Sequence, residues 1–544
     1  MDEYPFRMGE YKRKGISTNA EAEAWVNRGL IWMYCFNHEE ALRCLKLALT
    51  LEKDCVFAWI LMAYCHGPNY NLSQDNVYYS LSLQQDTEYP SQREAVRALD
   101  TAIGLSSVAS KLELALIDAL RLRTFYNNQF AVLSIESFAK AMCQLQQEFC
   151  DDPDVTCFAA EAVMQISPWK HFDKDGKSGP HVANIKKLLE HGLSICSNHP
   201  GLNHFKVHLL EMSTCPEDSL DAADRLRRIA PDCGHLLHMP SHIDVQTGNY
   251  QAAVDSNRNA MSANRKLLKF NQEHGFEANL YLDYIAHDLH MMVFAAMLAG
   301  MKQVATDAAN ELYDLCSKAI FEHRPRAIWL DLFCGIKFHV LIRFGLWEEI
   351  ILVEESITDE CFVGTATILH YAKGLAFAAL GNMKMAKLYQ DKFEKCRLSP
   401  SVCERVLHNN NAKDMFHVGS EMLLGEILYR QGDFDEAFAH LLSAVGLEDE
   451  LPYDEPPGQM QPIRHALGGL LLEQQRCGFA EGVFRDDLTR HPKNPWALCG
   501  LIESLSYQGI DADEIRASLD DIIEIADVPI RSSCACVGRK IVCH

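Results

Sequence analysis

The stretch Leu467–Pro492, LGGLLLEQQRCGFAEGVFRDDLTRHP, decides how the rest of the chain is read. Its apolar residues recur at helical spacing. Leu467-Gly468 and Leu471 fall in a first helix, Ala480 and Phe484 in a second, and Pro492 at the second helix's end. Small residues let two antiparallel helices approach closely, and larger apolar ones fill the seam to the next pair. One hairpin cannot cover its own apolar face, so such pairs stack.

The same offsets return along the chain. Leu424-Gly425, Leu428, Ala437, Leu441 and Ala444 repeat them, as do Gly29, Ala41, Leu45 and Ala48, with Trp59 where the next unit's Trp belongs. Weaker copies are Gly374 with Ala386, Gly248 with Tyr250, Ala253 and Ala260, and Gly300 with Ala305 and Ala309. The spacing is that of the tetratricopeptide repeat (TPR), a unit of about 34 residues. The expected fold is therefore all-α: a TPR-type α-solenoid, a right-handed superhelix of helix hairpins with irregular insertions and essentially no sheet. Helix pairs are expected at 20–52, 416–446 and 463–490. Gly67-Pro68-Asn69-Tyr70-Asn71 opens a turn-rich insertion across His66–Arg93, and Trp169–Pro180 and Pro452–Pro462 are Pro/Gly loops. Glu94–Arg123 is helical but off-register. The expected segments are N-terminal TPR-like helices at 1–66, a divergent helical region at 67–198, His-rich TPR units at 199–310, TPR units at 311–450, a Pro-rich loop at 451–462, and C-terminal TPR units and tail at 463–544.

Composition fits a globular chain of 544 residues, 48% hydrophobic and 23% charged. Lys and Arg total 51 against 74 Asp and Glu, a net charge of −23. That balance argues against a nucleic-acid partner or an acidic membrane surface. No apolar run reaches the roughly 18 residues of a membrane span, and MDEYPFRMGEYKRKG lacks the apolar core of a secretion signal. The cytoplasm is the expected address, with the 20 cysteines reduced and mostly buried.

Seven stretches in order, FNHEEA (Phe36–Ala41), GPNYN (Gly67–Asn71), ALIDALRLR (Ala115–Arg123), AEAVM…PW (Ala160–Trp169), HMPSHI (His238–Ile243), YDEPP (Tyr453–Pro457) and LGGLLLE…WALCGL (Leu467–Leu501), give the chain a global resemblance. It resembles a group of TPR proteins of bacteria and some eukaryotes with no settled activity. The resemblance implies fold, not chemistry. The chain departs from that pattern at Asp244, Asp288 and Gln459-Met460, where the group has aromatics, Asn and aromatics.

Histidine carries the chemical signal. Nine of the 23 lie between His199 and His290. His204, His208 and Glu211 are spaced i, i+4, i+7; His235, His238 and His242 are spaced i, i+3, i+7; His287 and His290 are spaced i, i+3. Each spacing sets its residues on one helix face. Counted back from Gly248 and Ala253, and from Gly300 and Ala305, the second and third clusters fall at first-helix positions that line a TPR array's concave groove. Imidazole is the commonest metal ligand near neutral pH, and facing helices can build a one- or two-ion site. The His-rich, carboxylate-poor set suits Cu, Fe or Zn, without distinguishing them. Structural histidines, or a metal-free acid–base pocket, are the other readings of the same clusters. Pro240 either kinks a helix, freeing the Leu236 carbonyl for Ser241, or begins one.

Weaker signals are Tyr453 and Glu455, which supply an acid or brace their loop; Tyr281 and Tyr284, as donors to the histidines or packing; and Cys534, Cys536, Cys543 and His544, a soft-ligand tail. Asp221–Arg228 reads as a solvated face. The expected function is a metal-dependent enzyme acting on a small molecule by oxygen activation or hydrolysis. The alternative is an interaction scaffold that holds a partner peptide in the groove, with structural histidines.

Overall fold

The computed structural model describes residues 4–73, 90–123, 133–276, 280–355 and 359–537. Most of the insertion after Asn71, the centre of the Arg265–Tyr281 connection, and Cys543 and His544 of the tail lie outside them. The described chain is all-α, with consecutive helices packed as antiparallel TPR-type hairpins. Strand among the described residues is confined to the pair Val406–Leu407 and Asn410–Asn411 and one bridge between Phe172 and Ser178.

The chain forms two compact units. The first comprises Met1–Ile243 and Asn259–Ile285, the second Asp244–Arg258 and Ala286–His544. The boundary passes through the His-rich segment 199–310, so His287 and His290 belong to the second unit and the first two clusters to the first.

In the first unit the hairpin Ala20–Tyr34 and His38–Leu51 matches the pair expected at 20–52. Asn19 and Asn37 cap its helices, Asn19 accepting the N–H groups of Glu21 and Ala22 and Asn37 that of Glu40. A Cβ on Gly29 would meet Leu45 at 2.9 Å, which is why a small residue recurs there. Ahead of this hairpin runs an extended segment that the repeat register did not reveal. Arg7 pairs with Asp232 at 3.0 Å, and Arg13 with Asp152 and Asp154 at 2.6 and 2.7 Å. Phe6, packed against Trp32 and Phe270, and the Tyr4 hydroxyl on Glu40 join these ion pairs in holding the segment in place.

In the second unit, Ala412–Gln431 pairs with Phe434–Asp449 and Ile463–Glu473 with Cys477–Arg490. The first of these begins at Ala412, four residues before the expected start. Phe484 is wedged between Gly468 and Gly500, where any Cβ would overlap its ring. Gly248 and Gly300 both turn the chain with φ of 75°, so they mark the hairpin bends from which the histidine register was counted. On Leu220–Ile229, Ala222, Ala223 and Leu226 are buried, and the charged side is the expected solvated face, with Asp221 bridging Lys206 and Arg225.

Candidate functional site

The site in the first unit is built on the helix Pro200–Leu210. His199 caps it: Nδ1 accepts the Leu202 N–H at 3.1 Å, which leaves Nε2–H to donate to Asp154, also at 3.1 Å. Asp154 is fully buried and collects three more donors, the hydroxyls of Tyr11 (2.8 Å) and Tyr34 (2.6 Å) and the Arg13 guanidinium (2.7 Å). This hub fixes the helix about its axis. His204 and His208 then share an inward face, and His204 Nδ1 donates to the Tyr34 carbonyl at 2.8 Å.

The second cluster sits on two short helical pieces, Gly234–His238 and one beginning at Pro240. Pro240 starts a helix instead of kinking one, because its ring fits a first turn where no N–H is needed. Ser241 lies 3.5 Å from His238 Nδ1 and not on the Leu236 carbonyl. Gly234 passes so close to Asn264 that a Cβ would collide. The Tyr281 hydroxyl accepts the His235 backbone N–H at 3.2 Å, so Tyr281 acts on the histidine's main chain. Tyr284 sets its ring edge-on to His235 at 4.8 Å.

Clusters one and two meet. His204 Nε2 lies 3.1 Å from His235 Nε2, and His238 Nε2 lies 2.8 Å from His242 Nε2. Glu211 spans both, with one oxygen 3.0 Å from His208 Nδ1 and the other 3.1 Å from His242 Nδ1. One ligand nitrogen from each of His204, His208 and His235 lies within 4.8 Å of the others. A carbonyl and a carboxylate can only accept, so His204 and His208 carry their protons on Nδ1 and turn Nε2 lone pairs inward. His208 Nε2 and His235 Nδ1 are buried with no hydrogen-bond partner among the described residues. Burial keeps the imidazoles neutral: His204 and His242 are pushed down to about 3, and His208 and His235 lie well below the usual value, lowered further by neighbouring histidines.

None of these six residues is more than 1% exposed, where an open groove lining was expected. Aromatic rings cover them. Phe36 lies 4.6 Å from His204 and 5.6 Å from His235, while Tyr70 and Trp169 approach His208 at 5.0 and 5.4 Å. Phe36 and Trp169 hold left-handed backbone, φ 55° and 60°, a strain that clusters at functional sites. Aromatic residues of the stretches FNHEEA, GPNYN and AEAVM…PW thus pack against His204, His208 and His235. Sequence reasoning quoted them but did not assign their aromatics to the histidines.

In the second unit His287 and His290 meet His408, which the sequence did not single out. Tyr453 and Asp454 brace their loop: Asn409 donates to the Tyr453 carbonyl at 3.1 Å and Asn410 to Asp454 at 2.9 Å. Glu455 is buried and accepts from Gln246; burial raises its carboxyl well above the usual range. Cys534 and Cys536 form a disulfide, so these two thiols are not reduced as expected.

Fold and site together define an all-α protein of TPR-type hairpins enclosing a buried histidine cluster. No protein-family model matches the chain, and no curated protein matches it either. Solved structures similar to it include the human IFIT1 dimer with m7Gppp-AAAA, at 11% identity and TM-score 0.34, over 94% of this chain and 91% of that one. The APC/C hetero-tetramer Cut9–Hcn1 follows at 12% and 0.32, over 93% and 76%, and yeast Tom70 at 14% and 0.30, over 93% and 92%. Likenesses this distant say nothing of what this chain binds. No helix among the described residues is long and apolar enough to cross a membrane.

Proposed function

We propose that the first unit holds a metal ion on His204, His208 and His235, and that the protein is a metal-dependent enzyme acting on a small molecule. The observation that carries this reading is the convergence of three buried, neutral imidazoles, two with their Nδ1 protons already engaged. Such outer partners are what metal-bound histidines normally have. Two nitrogens at about 2.0–2.1 Å from one ion lie about 2.9 Å apart at a right angle and about 3.4 Å apart at the tetrahedral angle. The 3.1 Å between His204 and His235 falls between those values. Three protein nitrogens leave a fourth position, as catalytic sites do. A bound zinc, copper or iron ion supplies Lewis acidity or activates water or oxygen. His238 and His242 form a further nitrogen pair, held through Glu211.

A second reading has its own observation. At 2.8 and 3.1 Å the two imidazole pairs also satisfy N–H···N hydrogen bonding, and all six side chains are sealed from solvent. Structural histidines inside an interaction scaffold for a partner peptide fit that arrangement. Metal analysis of protein purified without a tag or metal column decides. Near-stoichiometric zinc, copper or iron, lost in His208→Ala and His235→Ala, supports the metal reading. Substoichiometric metal that reconstitution does not raise supports the scaffold.

A further inference from the structure

His408 is one of five non-glycine residues with left-handed backbone among the described residues, at φ 48°. It lies in the turn between Val406–Leu407 and Asn410–Asn411. Asn410 fastens this turn to Asp454 at 2.9 Å and to the Pro452 carbonyl at 3.3 Å. Those bonds hold a strained conformation. The conformation aims the His408 ring at the helix carrying His287 and His290. Its Nε2 comes within 3.3 Å of His287 Nδ1, and its ring stacks on His290 at 5.6 Å and 15°. One ligand nitrogen from each of the three lies within 4.8 Å of the others.

A fourth donor is a thioether. Met460 Sδ is 2.9 Å from His290 Nε2, and the other nitrogen of that ring is buried without a hydrogen-bond partner among the described residues. Phe333 packs edge-on against His290 and His408, at 5.3 and 5.2 Å. Three imidazoles alone discriminate poorly among transition metals. A thioether does discriminate: it is a soft ligand that favours copper(I) over zinc and adds little for hard cations. The site differs from that of the first unit, where a carboxylate backs the histidines.

We propose that the second unit carries a copper(I) site formed by His287, His290, His408 and Met460. It shares no residue with the ligand set proposed in the first unit, and either can fail alone. The test uses the full chain carrying His208→Ala, so that the first set is broken. Copper(I) is titrated anaerobically against bathocuproine disulfonate in this parent and after adding Met460→Leu or His408→Asn. Leu keeps the volume of Met, and Asn tolerates left-handed backbone; circular dichroism checks both folds. The parent should take up one copper(I) that the His408→Asn protein does not. Met460→Leu should weaken copper(I) at least tenfold and zinc(II) less than twofold. Cysteines also bind copper(I), so selenomethionine-labelled parent is examined by X-ray absorption. Copper–selenium scattering should appear there and vanish in Met460→Leu. Equal copper(I) uptake by all three proteins, absence of selenium scattering, or equal weakening of zinc and copper overturns the proposal.

Discussion

Glu211→Gln is the sharpest test of the site in the first unit. The glutamate is 1% exposed and presents two oxygens to two imidazoles, His208 Nδ1 at 3.0 Å and His242 Nδ1 at 3.1 Å. Glutamine has nearly the same shape but one acceptor oxygen and one NH2 donor. One imidazole keeps its Nδ1–H bond; the other faces a donor and must move its proton to Nε2. If that ring is His208, the lone pair aimed at His204 and His235 disappears. Loss of such an outer partner costs about 10–100-fold in metal affinity, or about 1.4–2.8 kcal/mol at 1.4 kcal/mol per tenfold. The assay is a competition titration of metal-free protein against a chromophoric chelator, with circular dichroism confirming the helices. An affinity of this site within twofold of wild type, while His208→Ala removes its one equivalent of metal, would refute the role given to Glu211. An unchanged affinity in both variants would refute the ligand set.

Three other outcomes are expected. Gly468→Ala forces a methyl into the Phe484 ring; overpacking of this kind costs about 1–3 kcal/mol, read as a lower denaturation midpoint. Phe36→Gly relieves a left-handed residue but removes a buried ring, for a net loss of about 2–4 kcal/mol and faster diethyl pyrocarbonate modification of the histidines beneath; unchanged reactivity would mean that other groups seal the cluster. Burial raises the Asp232 carboxyl, but bonds from Arg7 and Lys266 outweigh it and bring it down to about 2. A depressed carboxylate stabilises the fold above its unfolded value of about 3.9 and loses that contribution as pH falls toward 2. Protection factors at residues 4–8, corrected for intrinsic exchange, should therefore fall between pH 4 and pH 2. With Arg7 mostly exposed, Asp232→Asn should cost only about 1 kcal/mol at neutral pH.

The repeat was legible because its signal is local. Gly29 against Leu45, Gly425 against Leu441 and Gly468 against Phe484 each lie within one hairpin, so a fixed offset reports them. The shared face of His204 and His208 follows equally from helix geometry. Glu211 comes within reach only because it continues the helical turn as C-cap, at φ −56° and ψ −35°. Other features arise from residues far apart in sequence. Phe36 reaches the histidines across about 170 positions, and His408 meets His287 across 121. No period encodes such pairs. Left-handed backbone at Phe36 and Trp169 is also invisible in composition, because neither residue type favours it. The irregular N-terminal segment has no signature in the repeat because its contacts, such as Phe6 on Phe270 and Arg7 on Asp232, join residues far apart in sequence.

The buried histidines also bear on which reading the fold favours. An apolar layer would fill the same space without polar desolvation. Here two ring nitrogens, His208 Nε2 and His235 Nδ1, have no protein partner among the described residues. Leaving a buried polar atom unpaired costs about 1–3 kcal/mol, so the pair costs about 2–6 kcal/mol, a sizeable share of the 5–15 kcal/mol by which a folded domain is stable. A scaffold with structural histidines has no ion to offset that cost. An ion bound at His208 Nε2 recovers its share directly and turns an unpaired lone pair into a bond. The metal reading therefore predicts that the metal-free protein is the less stable form. Saturation at 100 times the dissociation constant should raise unfolding free energy by about 2.7 kcal/mol. The increase should vanish in His208→Ala, and its absence from the wild-type chain would return these histidines to a purely structural role.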